Sequence, residues 1–561
     1  MQRNAVHEWR GRFSRPISIM RPRQVFLAHV AVLIQLTFAV VGAALGAEYY
    51  VSPAGVDSNN GAQATPFREI RRALNAISPG DTVIVADGNY KGFDAVSLGS
   101  ANTVTKIIAP GRKAIITKTT DRGINNPNNM VVWLCTNVVF EGLQTFGSAN
   151  AGMRIIESNH ITVRYGVFGN HYRWGIVTSH SNDIILEYND CYGSIEQHGI
   201  YVANSGDRPI VRGNRLHDNV GSGLRSNGDV IQGGDGIITG ALFEDNIIYN
   251  NGSLGGAGMN LDGLQDGIIR NNLFYNNLAT GIALFKGGGA EGPKGMQVLN
   301  NTIITPAAAR YNLRITDAIG PITVRNNLLF NATTAKGPFS WNTPSDAAWT
   351  DSDYNAFGGG RFISTDGETT RISLDTWFAS GHEPHSLPLI TLESSVVNPA
   401  NADFRLKTGS PLIDAGTTLA NVLTDILGTS RTLGNAPDIG VYEHGLYAAW
   451  KTTQGIPLAT PDTFDSDADG IPLLMEYAMD SDPRAAFPIR QPTVTRQAGT
   501  LQLSYPIQRA DLVYAAETSS DLKNWTSNGV EHSSPGTASS ASVLIVPNRS
   551  RQYLRLKVTL P

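Results

Sequence analysis

Polar side chains recur at fixed offsets from a glycine in the middle of this sequence. Two and four residues after successive glycines stand a phenol, a guanidinium, two amides and a carboxylate, namely Tyr201, Arg225, Asn227, Asn260 and Asp262. His198 directly precedes one of these glycines, and His180 follows the strand-like segment before it. Groups of these types can hold an anionic sugar and move a proton on it.

The chemistry that fits this set is β-elimination in a uronate polymer. A positive charge must neutralise the carboxylate so that the neighbouring carbon becomes acidic; a base must remove its proton, and an acid must protonate the leaving oxygen. Arg225 is the candidate for the charge. It would act alone or beside a Ca²⁺ held by Asn227, Asn260 and Asp262.

Proton transfer has three candidates, each with a simpler alternative. His198 is the candidate base and Tyr201 the candidate acid, with Lys286 as a rival base. His198 could instead be a corner residue that bonds its own loop, and Tyr201 a stacking platform for a sugar ring. Lys286 could be a charge on a flexible loop. Arg225 and Asp262 could form a surface ion pair.

A glycine-rich insertion interrupts the repeat beside these residues. The segment SNGDVIQGGDG carries Asp229 and Asp235, and it lengthens one interval of the repeat to 35 residues, from Gly223 to Gly258. Long excursions from a regular coil usually build the walls of a binding groove. The sequence therefore predicts that Asp229 and Asp235, with His180, line a substrate groove.

Three other functions stay open on the same residues. Hydrolysis would use Asp262 with Asp229, Asp235 or Glu196 and needs two carboxyl groups ~5–9.5 Å apart. An epimerase on the same scaffold is a further alternative. A non-catalytic surface or glycan-binding protein would use the coils only as a spacer.

Two independent sequence markers show what positions these side chains. One is Asn or Gly inside a phrase such as IVRGNRL or IIRNNLF, at Gly142, Gly166, Asn189, Asn214, Asn246, Asn272, Asn301 and Asn327. The other begins phrases such as GIYVA and GMNLD, at Gly152, Gly175, Gly199, Gly223, Gly258 and Gly281. Both recur about every 24 residues with alternating apolar and polar positions. That period with strands only indicates a parallel β-solenoid.

The solenoid makes two further predictions about its surface and interior. Two residues before the Asn marker, charges of alternating sign should pair between coils, at Arg164, Glu187, Arg212, Glu244 and Arg270. The two cysteines, Cys135 and Cys191, fall at different points of the coil, so we expect buried free thiols.

The repeat resembles that of secreted bacterial right-handed parallel β-helix proteins of the pectate-lyase-like superfamily. Residues 49–90, YYVSPAGVDSNNGAQATPFREIRRALNAISPGDTVIVADGNY, resemble its amphipathic N-terminal cap, and HGIYVANSGDRPIVRGNRLHDN at 198–219 resembles its coils. Residues 403–445, with DFRLKTGSPLIDAG and DIGVYEHG, resemble its last coils. The resemblance implies an all-β fold and a carbohydrate-active protein. It carries over no catalytic role, because the fold hosts lyases, hydrolases, epimerases and adhesins.

The N-terminus and the composition limit the location and the partners. Residues 25–47, after Arg21 and Arg23, form an apolar tract with a small-residue end, which predicts a cleaved export signal over 1–47, with Met1 or Met20 as start. We expect a secreted, surface or periplasmic protein with no membrane span after cleavage; an uncleaved membrane anchor is the alternative, since the tract approaches spanning length. A net charge of −4 argues against a nucleic-acid partner. The expected partner is an extracellular polysaccharide, and the expected state is a monomer.

The C-terminal part predicts two smaller units after a β-helix over residues 48–445. In the linker, 446–487, DSDADGIPLLME places three aspartates, a glycine and a glutamate at the spacing of a calcium loop, with Asp465, Asp467, Asp469 and Glu476 as ligands. An acidic linker without metal is the alternative. Residues 488–561 alternate as strands and predict a small all-β accessory domain.

Overall fold

The chain winds into a parallel β-solenoid followed by small antiparallel sheets. The computed structural model describes residues 46–117, 127–457, 460–486, 492–497, 499–509, 511–533, 538–544 and 551–560. The predicted export signal lies outside the described residues except for its last two. No helix in these ranges combines the length and apolar character that a membrane crossing requires.

Three parallel sheets make up the solenoid, and each regular turn adds one strand to each of them. Sheet 1 contains Glu48–Val51, Thr82–Val85, Thr105–Ile108, Thr136–Glu141, Asn159–Arg164, Ile185–Glu187, Ile210–Arg212, Leu242–Glu244, Ile268–Arg270, Met296–Leu299, Ile322–Arg325 and Thr350–Asp353. Sheet 2 contains Gly88–Tyr90, Ala114–Ile116, Leu143–Phe146, Val167–Gly169, Asp190–Tyr192, Arg215–His217, Ile247–Tyr249, Leu273–Tyr275, Thr302–Thr305, Leu328–Asn331, Ala356–Gly359 and Leu387–Ile390. Sheet 3 contains Phe93–Val96, Met130–Trp133, Ala151–Ile156, Trp174–Ser179, Ile200–Ala203, Leu224–Asn227, Ala257–Asp262, Thr280–Phe285, Leu313–Ile315 and Phe339–Trp341.

Short helices, turns and two-strand pairs lie outside the three parallel sheets. The helices are Ile70–Leu74, Pro344–Ala348, Leu374–Ala379, Leu392–Ser395, Leu446–Thr453 and Leu473–Met479, with 3₁₀ turns at Val230–Gln232 and Pro399–Asn401. Two-strand pairs join Ile238–Thr239 to Leu264–Gln265, Phe362–Ile363 to Ile372–Ser373, and Val396–Asn398 to Asp403–Leu406.

Alternation along each strand fills the interior with apolar side chains. In the glycine-led strands of sheet 3, the first and third residues after glycine point inward; Met153, Ile155, Ile200 and Leu224 are fully buried. One hydrophobic cluster runs through the solenoid from Val51 to Trp377. Burial of this apolar surface is the main term that favours the stacked coils.

A buried ladder of asparagines ties successive coils together at the corner between sheets 1 and 2. The Oδ1 atom of Asn214 accepts hydrogen bonds from both the backbone N–H and the Nδ2 of Asn189. The same pair of bonds repeats along the column from Asn214 to Asn246, Asn272, Asn301, Asn327 and Asn355. These side chains satisfy the polar groups of a corner that is closed to water.

The predicted charge ladder and the free cysteines are both present. Arg164 lies 2.7 Å from Glu141, Arg212 lies 2.7 Å from Glu187, and Arg270 lies 2.6 Å from Glu244. Weaker contacts of 3.6 and 3.9 Å link these pairs into one row across the coils. Cys135 and Cys191 are free and buried, as their positions in the coil predict.

Residues 403–445 behave differently from the last coils that they resemble. The final strand of the three sheets is Leu387–Ile390, and the chain then returns along the solenoid. Asn271 donates to the carbonyl of Thr424, Asn300 donates to those of Asp438 and Gly440, and Asn326 donates to that of Thr417. This segment, which we call the strap (residues 412–443), therefore crosses three coils rather than adding to the stack.

A second hydrophobic cluster organises the C-terminal part. Strands Thr493–Gln497, Thr500–Pro506, Val530–Ser533 and Ala538–Leu544 form one antiparallel sheet, and Val513–Ser519 pairs with Tyr553–Thr559. Tyr477 and Met479, on the helix Leu473–Met479, pack with Leu503, Ala516 and Ala541 of these strands. The observed architecture confirms the predicted all-β solenoid with small C-terminal sheets.

Candidate functional site

Strand register aligns the sequence-derived candidates in one column on the outer face of sheet 3. Val177 pairs with Tyr201, Tyr201 with Arg225, and Arg225 with Asn260 in successive strands. The column continues through Ala283 to Arg314. Adjacent strands in a sheet lie about 4.8 Å apart, so Arg225 and Arg314, three strands apart, are separated by about 14 Å along the axis.

Arg225 and Tyr201 form the centre of this column. The guanidinium carbon of Arg225 lies 5.9 Å from the centre of the Tyr201 ring. Asn227 donates its Nδ2–H to the Tyr201 hydroxyl oxygen at 3.4 Å. Arg225 forms no ion pair with any carboxylate of the described residues, so the predicted alternative, a pair with Asp262, is not formed. The arrangement leaves a positive charge beside a phenol.

His198 lies beneath Tyr201 and bonds the next coil. Its Nδ1 accepts the backbone N–H of Ser222 at 2.9 Å, and its ring meets the Tyr201 ring edge-on with 5.6 Å between centres. Burial, and then the charge of Arg225, lower the pKa of His198 to about 3. The imidazole is therefore neutral, with its proton on Nε2. The side chain thus holds the corner, but its bond runs to the next coil and not to its own loop as the corner-residue alternative had it.

Asp262 is committed to the loop that follows the next strand. Its carboxylate accepts the backbone N–H groups of Gly287, Gly288 and Gly289 at 2.7–3.1 Å, and the residue is 1% exposed. A Ca²⁺ in the groove would compete with these bonds for the same oxygens. The predicted role of Asp262 as a groove calcium ligand with Asn227 and Asn260 is therefore not supported.

The polar residues of the glycine-rich insertion hold its shape, and its place as a wall of the groove stays a prediction. Asp229 accepts the N–H of Ile231, and Asp235 accepts that of Ile237. His180 contacts the carbonyl of Gln232 through Nε2 at 3.1 Å. Backbone bonds from Val230 to Gly288 and from Ala290 to Gly236 join this insertion to the 286–290 loop. Lys286 begins that loop and is exposed.

Several groove residues escaped the sequence analysis. A cleft of about 300 Å³ continues from Asn260 and is lined by Thr280, Ala283, Phe285, Arg310, Arg314 and Thr316. The marker glycine is replaced by Asn312 in this coil, so the glycine-led phrase does not identify the strand Leu313–Ile315. Leu313 and Ile315 continue the inward-facing positions of Ile282 and Leu284 in the next strand. The alternation of inward and outward side chains would therefore have placed Arg314 on the outer face.

The acidic loop of the linker gathers carboxylate oxygens around one point. One oxygen from each of Asp465, Asp467 and Asp469 lies within 4.8 Å of the others. Glu476 is 1% exposed, and its Oε2 atom has no hydrogen-bond partner, like Oδ1 of Asp465 and Oδ2 of Asp467. Burial, and then the charges of the three aspartates, raise the pKa of Glu476 to about 7. Buried oxygens without donors are the ligands that a hard cation takes.

Comparisons with known proteins agree on the fold. The family model "Right handed beta helix region" matches residues 112–234, and a model of a protein family of unknown function matches 53–96. Among solved structures, pectate lyase Pel9A aligns with a TM-score of 0.50 and 17% identity, covering 72% of this chain and 98% of its own.

Two other solved structures align less closely, and none of the curated proteins matches the chain. XylC in complex with xylose has a TM-score of 0.44 at 11% identity, covering 70% of this chain and 98% of its own. An alginate lyase from Paenibacillus sp. str. FPU-7 has a TM-score of 0.37 at 18% identity, covering 53% of this chain and 95% of its own. The chain has the right-handed parallel β-helix fold, which it shares with pectate lyase Pel9A.

Proposed function

We propose that this protein binds an acidic polysaccharide along sheet 3 and cleaves it by β-elimination. The observation that carries the proposal is the column of Tyr201, Arg225 and Asn260 in three adjacent strands, extended by Arg314. A line of polar and cationic side chains along the axis suits a linear polyanion. We infer that such a substrate is met outside the cytoplasm, in keeping with the predicted export signal.

Arg225 would bind and neutralise the uronate carboxylate, which acidifies the neighbouring C–H bond. Tyr201 would donate its proton to the leaving oxygen, because Asn227 donates to the phenol oxygen and leaves the hydroxyl hydrogen free to point into the groove. His198, with Nδ1 occupied and its proton on Nε2, has no free lone pair for the role of base. We assign it to positioning Tyr201 and retain Lys286 as the candidate base.

Hydrolysis has less support, because its carboxylates are engaged elsewhere. Asp262 binds three glycine amides, Asp229 and Asp235 cap their own turns, and Glu196 pairs with Arg173 at 3.1 Å. None of these four residues is available as an acid–base pair facing the groove without losing such a bond. Elimination needs one cation, one acid and one base, for which the column offers Arg225 and Tyr201 and the 286–290 loop offers Lys286.

The decisive test is ultraviolet detection of unsaturated products on a panel of polyuronates. Arg225→Gln and Tyr201→Phe should each reduce turnover at least about a hundredfold, the size of a lost electrostatic or acid–base contribution. Arg361→Gln, at a surface pair with Asp375, is the control and should retain full activity. Lys286→Met tests the assignment of the base. If this variant still turns over the substrate, Lys286 is not the base.

No turnover by the wild-type chain on the whole panel would reject the lyase proposal. Tight binding without turnover, unaffected by the change at Tyr201, would then select the non-catalytic glycan-binding alternative. Product with inverted configuration at the uronate carbon and no chain cleavage would select an epimerase.

We also propose that the loop from Asp465 to Glu476 binds one Ca²⁺. The support is the unpartnered Glu476 oxygen buried beside three aspartates. Glu476 lies on the helix whose Tyr477 and Met479 enter the C-terminal cluster, so the ion would fix this helix to the linker.

Calorimetry with CaCl₂ and melting curves with and without chelator test the calcium site. Wild type should bind one Ca²⁺ and melt higher with it, whereas Glu476→Gln should lose both effects. Asp375→Asn, at an exposed site, is the control. Equal melting with and without Ca²⁺ and no binding heat in the wild type would overturn the site.

A further inference from the structure

The cleft beside Asn260 contains two arginines that no described carboxylate neutralises. Arg310 and Arg314 both line it, and neither forms an ion pair with the residues that the structure describes. The arginines in the charged row of sheet 1, by contrast, each pair with a carboxylate, as Arg164, Arg212 and Arg270 do. Two unneutralised guanidinium groups in one cleft favour an anionic ligand, because arginine binds carboxylates and sulfate esters through paired N–H donors.

The backbone holds both arginines in place. Arg314 lies on a strand that pairs with Ala283 on one side and with Ser340 on the other. Arg310 donates its N–H to the carbonyl of Ala279, and its own carbonyl accepts Nδ2 of Asn331 at 2.6 Å. A site whose backbone is fixed in this way loses little conformational entropy when it binds.

Small and polar neighbours shape the cleft. Ala283 stands between Asn260 and Arg314 in the column, and its short side chain leaves the space of about 300 Å³ open. The Oδ1 atom of Asn260 is buried without a hydrogen-bond partner. An unpaired buried carbonyl oxygen is costly, so this atom is matched to a donor such as a sugar hydroxyl.

We propose that this cleft is a subsite for one acidic sugar, separate from the Arg225 centre. The acidic group, a carboxylate or a sulfate ester, binds Arg310 and Arg314, and a ring hydroxyl donates to Asn260. The inference rests on the proposed function for the identity of the polymer. The spacing of about 14 Å between Arg225 and Arg314 places two acidic groups of one chain on the column, three strands apart.

The test compares the affinities of the full-length chain for two sets of hexasaccharides by titration calorimetry. One set is an oligouronate with carboxylates only, and the other is a neutral-sugar oligosaccharide with sulfate esters only. Arg314→Gln and Arg310→Gln should each weaken binding of the preferred set about ten- to hundredfold, the effect of a lost charge-assisted contact. Arg361→Gln should leave the affinity unchanged.

Two further variants separate charge from shape. Asn260→Asp keeps the side-chain size but adds a negative charge, so it should weaken acidic ligands as strongly as Arg314→Gln. Ala283→Leu fills the cleft without changing its charge. It should also abolish the contribution of Arg310 and Arg314 to the affinity for acidic hexasaccharides. Melting curves identify any variant that fails to fold, and the other three then decide.

The outcomes distinguish the subsite from the cleavage reaction. If acidic hexasaccharides bind wild type and the Arg310 and Arg314 variants equally, the subsite is overturned even where Arg225→Gln abolishes turnover. If binding depends on these arginines but wild type never cleaves, the subsite stands and the lyase proposal falls. If wild type binds neither set, the subsite is overturned.

Discussion

His171 illustrates what the stacking of coils does to a single titratable group. It is fully buried; its Nδ1 accepts the N–H of Ser148, and its Nε2 contacts the hydroxyl of Thr145. Burial lowers the pKa of His171 to about 4. The folded state therefore requires the neutral ring, whereas the unfolded chain takes up a proton near pH 6.5.

Linkage gives the sign of the resulting acid sensitivity. The stability that the neutral His171 provides is complete above pH 6.5 and is lost as the pH falls towards 4, by about 3 kcal/mol. We predict that His171→Asn, although less stable at pH 7, loses less unfolding free energy between pH 7 and 4 than wild type. Urea unfolding at both pH values measures this, with exposed His160→Asn as control. Parallel pH profiles for His171→Asn and wild type would contradict the prediction.

Single residues also show where sequence reasoning stopped. Spacing alone placed Tyr201, Arg225 and Asn260 in one column, because strand period and repeat length are both visible in the chain. The same reasoning proposed Asp262 as a calcium ligand, and its contacts with Gly287, Gly288 and Gly289 depend on a loop path that no period encodes. The position of a residue in the repeat predicts the face on which its side chain lies. Its hydrogen-bond partners in loops are visible only in the folded structure.

The asparagine ladder is the element whose loss should be most costly. Asn272 accepts from Asn246, and its Nδ2 donates to the carbonyls of Phe243 and Arg270 and to Asn301. Asn272→Asp removes these donors and introduces a charge without a partner in a corner that is closed to water. We predict a loss of about 3 kcal/mol or more in the unfolding free energy, because each unsatisfied buried group costs ~1–3 kcal/mol.

Asn276, four residues later in the same coil, supplies the matched comparison. It is exposed and adopts a positive φ of 53° that aspartate also tolerates. Asn276→Asp should change the stability by less than about 0.5 kcal/mol. Equal losses for the two variants in chemical denaturation would show that the ladder contributes nothing special.

The asparagines of this ladder are visible in the sequence because Asn recurs at the period of the coil, but no such repeat marks the strap. Periodicity identifies what each coil shares with its neighbours. Residues 412–443 have no repeat of their own, and they cross once over the three coils that contain Asn271, Asn300 and Asn326. Composition offers one clue to their role, since the phrase DIGVYEHG holds two acidic residues, Asp438 and Glu443, that the strap buries.

A buried ion pair inside the strap also contacts the solenoid through its arginine. Arg431 is 3% exposed and lies 3.1 Å from Glu443, which is also buried. It donates to Oδ1 of Asn271 and to the carbonyl of Gly440. One side chain thus connects a solenoid coil with two points of the strap, so its removal should affect the strap as a whole.

We predict that Arg431→Met lowers the unfolding free energy by about 3–5 kcal/mol, since it leaves Glu443 buried without its cation. The same variant should expose the strap to limited proteolysis within residues 412–443 while the coils remain intact. The double variant Arg431→Met with Glu443→Gln should recover part of the loss, because the uncompensated charge is gone. Arg361→Met controls for loss of an exposed arginine. Cleavage at wild-type rates in Arg431→Met, with unchanged melting, would mean that the strap is held by its backbone contacts to the asparagines alone.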